Sequence, residues 1–214
     1  MKAMKGLYAI TPEALAGEPL AELVRAALEG GAAVVQYRPK HADCAQQLRD
    51  AIALRALCRA RGVPFIVNDD PRLALEADAD GVHLGRDDWG RDDGSLEAVR
   101  ALLGARIVGV SCYNDLALAE EAAAAGADYV AFGSVFSSPT KPAAVRAPLE
   151  LFGRARRLGV PLVAIGGITL ANAAQATGAG ADCVAVISDL FCAADVAARA
   201  RAYATLFTNR TINT

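Results

Sequence analysis

No apolar stretch of the 214-residue chain reaches the roughly 18–20 residues needed to cross a bilayer, so no membrane-spanning helix is expected. Met1 to Gly6 carry two lysines but neither an apolar core nor a cleavage site of the export type, and the expected compartment is the cytoplasm. An excess of one charge is also missing. Lys and Arg number 22 against 24 Asp and Glu, a formal net charge of −2, which leaves no global positive field for nucleic acid or an anionic membrane surface. Any phosphate must therefore be held by local groups. The five cysteines, Cys44, Cys58, Cys112, Cys183 and Cys192, are odd in number, show no Cys-x-x-Cys spacing and have no histidine nearby. Neither a disulfide framework nor a zinc site is indicated, and all five read as small buried hydrophobes.

What is present is the balance of a compact domain, with 54 % hydrophobic and 21 % charged residues. Eight short apolar, β-rich runs recur at Leu7–Thr11, Val34–Arg38, Phe65–Asn68, Gly81–Gly85, Ile107–Ser111, Tyr129–Gly133, Leu162–Gly166 and Cys183–Ile187. They are nearly continuous rather than alternating, the pattern of parallel strands covered on both faces. Between them lie segments with helical spacing, at Leu20–Leu28, Cys44–Arg61, Ser95–Leu103, Leu116–Ala125, Leu149–Leu158 and Ala194–Phe207. Gly62, Gly104, Gly126, Gly159 and Gly180 stand at the ends of helical stretches, where a left-handed residue closes the last turn. Eight such units at about 27 residues each approach the shortest workable (β/α)8 barrel. An open doubly wound sheet is the alternative, but no Gly-x-Gly-x-x-Gly turn follows the first strand. No linker divides the chain, so residues 1–214 are expected to form one α/β TIM barrel with a frayed tail at 208–214.

In such a barrel the active face is built at the C-terminal ends of the strands. Polar residues fall there on nearly every strand: Gln36-Tyr37-Arg38-Pro39-Lys40, Asn68-Asp69-Asp70, Arg86-Asp87-Asp88, Ser111, Ser137-Ser138-Pro139-Thr140-Lys141, Gly166-Gly167 and Ser188. Together with Tyr8-Ala9-Ile10-Thr11, Gly81-Val82-His83-Leu84-Gly85 and Ile165-Gly166-Gly167-Ile168, this combination resembles the thiamine-phosphate synthase family over essentially the whole chain. Each motif is weak alone, whereas all of them in this order and spacing are specific. The resemblance implies a transferase that joins a hydroxymethylpyrimidine diphosphate to a thiazole phosphate, releasing pyrophosphate and leaving thiamine monophosphate.

The residues suit that chemistry. Asp69 and Asp88, after neighbouring strands, are expected to hold a Mg2+ that keeps several waters and takes its other ligands from the diphosphate. Arg38 and Lys40, two apart on an extended segment, project toward one anion, and Lys141 closes on the leaving group from the opposite loop. These three cations are the expected catalytic residues. The resemblance places Gln36, Asn68 and Ser111 on the pyrimidine, and Ser138 and Thr140 mainly on the thiazole substrate and the pyrophosphate. The thiazole phosphate is expected on backbone amides around Gly167 and at Ile187-Ser188. Departure of pyrophosphate leaves a methylene cation that the aminopyrimidine delocalises and the thiazole nitrogen captures, so no protein nucleophile is required.

Local roles compete with these. Asp70 reads as the N-cap of a short helix beginning near Pro71, and Asp87 as a solvated loop charge. His83 lies inside an apolar strand and reads as a packing residue, while His41 reads as solvated and Trp89 as either a lid or loop packing. Tyr113 stands where many relatives carry histidine, which argues against the thiazole tautomerase sister group. A sugar-phosphate isomerase would not need the Asp69/Asp88 pair, and a non-catalytic thiazole phosphate-binding protein would have lost the cationic or metal residues. Expected partners are the two small-molecule substrates, with no nucleic acid and no membrane, and a homodimer as the assembly to test for.

Overall fold

The computed structural model describes residues 4–40, 43–85, 95–137 and 145–208. Eight parallel strands, each paired with its neighbours in chain order, close into a barrel. They are β1 (Gly6–Ile10), β2 (Val34–Tyr37), β3 (Phe65–Asn68), β4 (Gly81–Leu84), β5 (Ile107–Tyr113), β6 (Tyr129–Phe132), β7 (Leu162–Ile165) and β8 (Cys183–Val186), and β8 pairs back onto β1. The helices are α1 (Gly17–Glu29), α2 (Cys44–Arg59), α3 (Pro71–Glu76), α4 (Leu96–Leu103), α5 (Leu116–Ala124), α6 (Glu150–Ala155, continued by a 3-10 turn), α7 (Ala173–Ala179), α8 (Ser188–Phe191) and α9 (Val196–Thr208). None of the described helices is long and apolar enough to cross a membrane. All five helix-exit glycines have positive φ, from 61° to 119°, as a left-handed closing residue requires.

The strands bury both faces, and the two faces differ. Leu7, Val35, Val67, Val82, Val110, Val130, Ala164 and Val184 pack outward under the helices. Tyr8, Val34, Ile66, Tyr129, Val163 and Cys183 form a second, separate core inside the barrel. Period-two alternation is therefore present but invisible in hydropathy, because an apolar residue serves either side. Inside, one strand supplies no side chain at the level where another supplies a large one. A Cβ at Gly109 of β5 would overlap the ring of Tyr129, its register partner on β6. Gly109→Ala is expected to lose about 1–3 kcal/mol through overpacking, read as a lowered midpoint of thermal unfolding.

The N-terminal face is closed by a repeated device. Asp80, Asp128 and Asp182, each just before a strand, accept a hydrogen bond from an N–H at the start of the preceding strand: Phe65 at 2.8 Å, Val108, the second residue of β5, at 2.8 Å, and Leu162 at 2.9 Å. Arg55 and Arg100 pair with the first two of these carboxylates at 3.2 and 2.6 Å. The carboxylates satisfy strand-end donors that would otherwise face a crowded rim.

One expectation needs correction. Cys58, Cys112 and Cys183 are buried, and burial pushes their thiols up to about 12. Cys44 and Cys192 are exposed, since the first begins α2 and the second caps α8 on the solvent side. Thr208, counted with the expected tail at 208–214, is the last residue of α9; residues 209–214 lie outside the described residues.

Candidate active site

Parallel pairing in one closed barrel brings the C-terminal ends of all eight strands to one mouth. On the β2–β5 side the inward residues at that level turn polar. Gln36 is buried, and Asn68 and Ser111 are half-buried. Asn68 lies in register with His83 of β4. His83 does more than pack: its Nε2 meets Ser111 Oγ at 2.8 Å and its Nδ1 meets Tyr129 Oη at 2.9 Å.

Asp69 follows β3 with φ 62°, a left-handed conformation that few non-glycine residues adopt. Its N–H donates to the His83 carbonyl at 2.8 Å, and its carboxylate accepts from the Asn68 amide at 2.5 Å. It caps nothing. The neighbouring Asp70 caps α3, accepting from the N–H groups of Arg72 and Leu73 at 2.9 Å each. Backbone strain held in place by two neighbouring strands is a mark of functional sites. A half-buried carboxylate at the rim of β3, beside the exit of β4, suits a hard divalent cation that keeps water and takes substrate oxygens. The second expected ligand, Asp88, lies outside the described residues, and among the described residues no group of three His, Cys, Asp or Glu forms a complete metal cage.

Arg38 is half-buried and forms an ion pair with Glu13 of the β1–α1 loop, while its N–H donates to Thr11 Oγ1 at 3.0 Å. Glu13 and the fully buried Thr11 thus brace the loop after β2. Lys40 is exposed two residues further on. Sequence reasoning gave no role to Glu13, and Thr11 entered it only as the last residue of the Tyr8-Ala9-Ile10-Thr11 motif at the end of the first strand.

Across the mouth, the loops after β6 and β7 dock on each other. Val135 N–H donates to Ile165 O and Phe136 N–H to Gly166 O, both at 3.0 Å. Gly167 has φ 60°, and a Cβ there would lie 2.6 Å from the Phe136 carbonyl oxygen and closer still to that of Ser137. Glycine is required at this position because another loop occupies the side-chain space. The N–H groups of Gly167 and Ile168 meet no hydrogen-bond acceptor among the described residues, and the same holds for Ser188. Asp189 fixes this end of the site: it accepts from Leu170 N–H at 3.3 Å, from Arg199 Nη1 on both carboxylate oxygens at 3.0 and 2.9 Å, and from Tyr203 Oη at 2.6 Å. Ile187 is half-buried and Ser188 exposed at the start of α8. Ser138, Thr140 and Lys141 lie outside the described residues, as do His41, Asp87 and Trp89. Tyr113 is 44 % exposed at the end of β5 with φ 51°.

A (β/α)8 barrel with polar residues on one side of its mouth and, among the described residues, unpaired backbone amides on the other has the layout in which barrel enzymes frequently bind phosphate. Among barrels of that layout the comparisons are specific. A family model described as thiamine monophosphate synthase matches residues 7–190. The chain is 59 % identical to a thiamine-phosphate synthase of Aromatoleum aromaticum over 206 residues, covering 95 % of this chain and 97 % of that one. It is 55 % identical to a thiamine-phosphate synthase of Methylococcus capsulatus, covering 95 % and 89 %. A solved thiamine phosphate pyrophosphorylase from Pyrococcus furiosus superposes with a TM-score of 0.85 at 35 % identity, covering 98 % of each chain. The chain belongs to the thiamine monophosphate synthase family, whose members are transferases.

Proposed function

We propose that the mouth holds two substrates on opposite sides, a pyrimidine diphosphate against β2–β5 and a thiazole phosphate against the loops after β7 and β8, and joins them with release of pyrophosphate. The observation that carries this reading is the division of the mouth. Ring-reading groups, Gln36, Asn68 and Ser111, stand on one side, and unpartnered amides at Gly167, Ile168 and Ser188 stand on the other. Amide N–H groups with no acceptor suit a phosphate dianion, which accepts several short bonds at once.

Asp69 and Asp88 would hold Mg2+, which when bound neutralises charge developing on the departing diphosphate. Arg38, kept in place by Glu13 and Thr11, stabilises the same charge, joined by Lys40 and by Lys141 from the loop after β6. Ser138 and Thr140 contribute hydroxyls to the thiazole and pyrophosphate side. The C–O bond breaks first, the aminopyrimidine carries the methylene cation, and the thiazole nitrogen forms the new C–N bond. The site needs no nucleophile or general base, only electrostatic stabilisation and alignment.

Purified protein given both substrates and Mg2+ should release pyrophosphate and form thiamine monophosphate in equal amounts. An electron-withdrawing substituent on the pyrimidine should slow turnover strongly; insensitivity to it would favour direct displacement.

Gly167→Val is expected to weaken thiazole phosphate binding by about tenfold or more, because the new side chain drives the Phe136–Ser137 backbone off the turn that carries the amides. Pyrimidine diphosphate binding should largely survive. Titration calorimetry with each substrate separately checks this, and unchanged thiazole phosphate affinity would remove Gly167 from the cradle.

A further inference from the structure

Among the described residues, four hydrogen bonds cross the barrel interior in one continuous line. Gln36 Nε2 donates to Tyr8 Oη at 2.9 Å, Tyr8 Oη meets Tyr129 Oη at 2.7 Å, Tyr129 Oη meets His83 Nδ1 at 2.9 Å, and His83 Nε2 meets Ser111 Oγ at 2.8 Å. The line joins β2, β1, β6, β4 and β5. Its two ends are groups read above as facing the pyrimidine, whereas its three middle members have no place in that reading. All of the middle members are buried: Tyr8 is 1 % exposed, Tyr129 0 % and His83 7 %. The Tyr129 ring stacks on His83 at 5.6 Å and lies edge-on to Tyr8 at 5.9 Å, so the line is also packed in place.

Such a line has a direction. Burial pushes both phenols above their ordinary value, so each Oη keeps one proton and must give one bond and take one. With the Gln36 amide nitrogen donating, Tyr8 gives its proton to Tyr129 and Tyr129 gives its own to His83 Nδ1. His83 is then the Nε2–H tautomer and donates to Ser111, whose own proton is left for the cavity. Gln36 is left with its carbonyl oxygen as an acceptor, beside the second hydrogen of its amide nitrogen. Reversing any one bond reverses all of them, giving Gln36 a donor and Ser111 an acceptor. A buried, fully bonded line resists that reversal because a half-reversed state strands a polar atom.

We propose that Tyr129 is a positioning residue: joined to Tyr8 on one side and His83 on the other, it fixes His83 as the Nε2–H tautomer, and so fixes Ser111 as donor and Gln36 as acceptor toward the substrate ring. This rests on the reading of Gln36 and Ser111 as the pyrimidine end of the site. The pair matches a ring edge carrying an amine donor and a ring-nitrogen acceptor, and mismatches the same ring with a carbonyl in place of the amine. The middle of the barrel thereby sets which pyrimidine is accepted.

Tyr129→Phe deletes one hydroxyl and keeps the ring that fills the space over Gly109. Long-range 1H–15N spectra of the free enzyme, with His83 assigned by comparison with His41→Gln, should show one protonated and one unprotonated His83 nitrogen, the proton on Nε2. In Tyr129→Phe the two tautomers should mix. KM for the pyrimidine diphosphate should rise about tenfold with KM for the thiazole phosphate unchanged, and preference for the amino over the oxo pyrimidine should fall by about tenfold or more. Tyr8→Phe should also let the His83 tautomers mix and lower the ring preference, because Tyr129 then has no donor to decide which way its proton points and Gln36 is released. An Nδ1–H tautomer in the wild type, or an unchanged tautomer and preference in Tyr129→Phe, overturns the proposal. The wild-type spectrum decides even if the variant does not fold. Gln36→Leu and Ser111→Ala with unaltered KM for the pyrimidine diphosphate would instead overturn the site reading on which the proposal rests, whatever the tautomer.

Discussion

Chelation of divalent cations is expected to abolish turnover, and Asp69→Asn to lower it by about 10²-fold or more, the scale on which one strong electrostatic partner of a departing anion is lost. Asparagine is the informative replacement. It keeps the shape of the side chain and tolerates the left-handed backbone at φ 62°, whereas alanine would add strain to the loss of charge. The apparent Mg2+ requirement should rise and pyrimidine diphosphate affinity fall in parallel, with the midpoint of thermal unfolding nearly unchanged. Asp88→Asn should behave alike. Asp70→Ala supplies the contrast: it removes the cap of α3, which accepts from Arg72 and Leu73, and should cost about 0.5–2 kcal/mol of stability without altering metal dependence. Full turnover in excess chelator would remove the cation from the mechanism.

Lys141→Ala should reduce kcat by about 10²-fold or more while thiazole phosphate affinity changes little. In the proposed role Lys141 is a compact charge whose attraction grows as the diphosphate leaves, so its deletion should fall on the transition state more than on either bound substrate. The described part of its loop begins with Val135 and Phe136 docked on Ile165 and Gly166, which ties the chain leading to Lys141 to the turn that carries the amides. Loss of thiazole phosphate binding with kcat intact would move Lys141 to the other substrate. Steady-state kinetics with each substrate varied in turn separates the two cases.

The eight strands were legible because each is a short apolar run bounded by turn residues, and the structure moves their ends by only a residue or two. β5 differs most, running on to Tyr113 through an irregularity in its pairing with β6. Helices α7 and α8, of seven and four residues, are too short for a helical period to register. The polar residues at the strand ends were visible as a set because chain order alone assigns them to one rim. What supports them was not. Tyr8 and Tyr129 sit 121 residues apart inside apolar runs and look like core; only closure of the barrel brings their hydroxyls to 2.7 Å. His83 read as packing for the same reason, since its partners come from two other strands. Cys44 and Cys192 show the converse error: residue type favoured burial, but position on a helix end decided exposure.

The carboxylates at the N-terminal rim carry a consequence for how the chain is partitioned. Asp80 stitches β3 to the start of β4, Asp128 stitches β5 to β6, and Asp182 stitches β7 to β8. The corresponding position before β2 is Ala33, whose own N–H donates to Leu7 O and which has no carboxylate to offer. Three of the four successive strand pairs are thus self-fastened two-strand modules, and the first pair is clasped from outside by α9 lying against α1 and β1. A chain break or a new terminus placed between modules, in the connection from β4 to β5 or from β6 to β7, leaves every stitch within one fragment. A break inside a module separates a strand from the carboxylate that ends it.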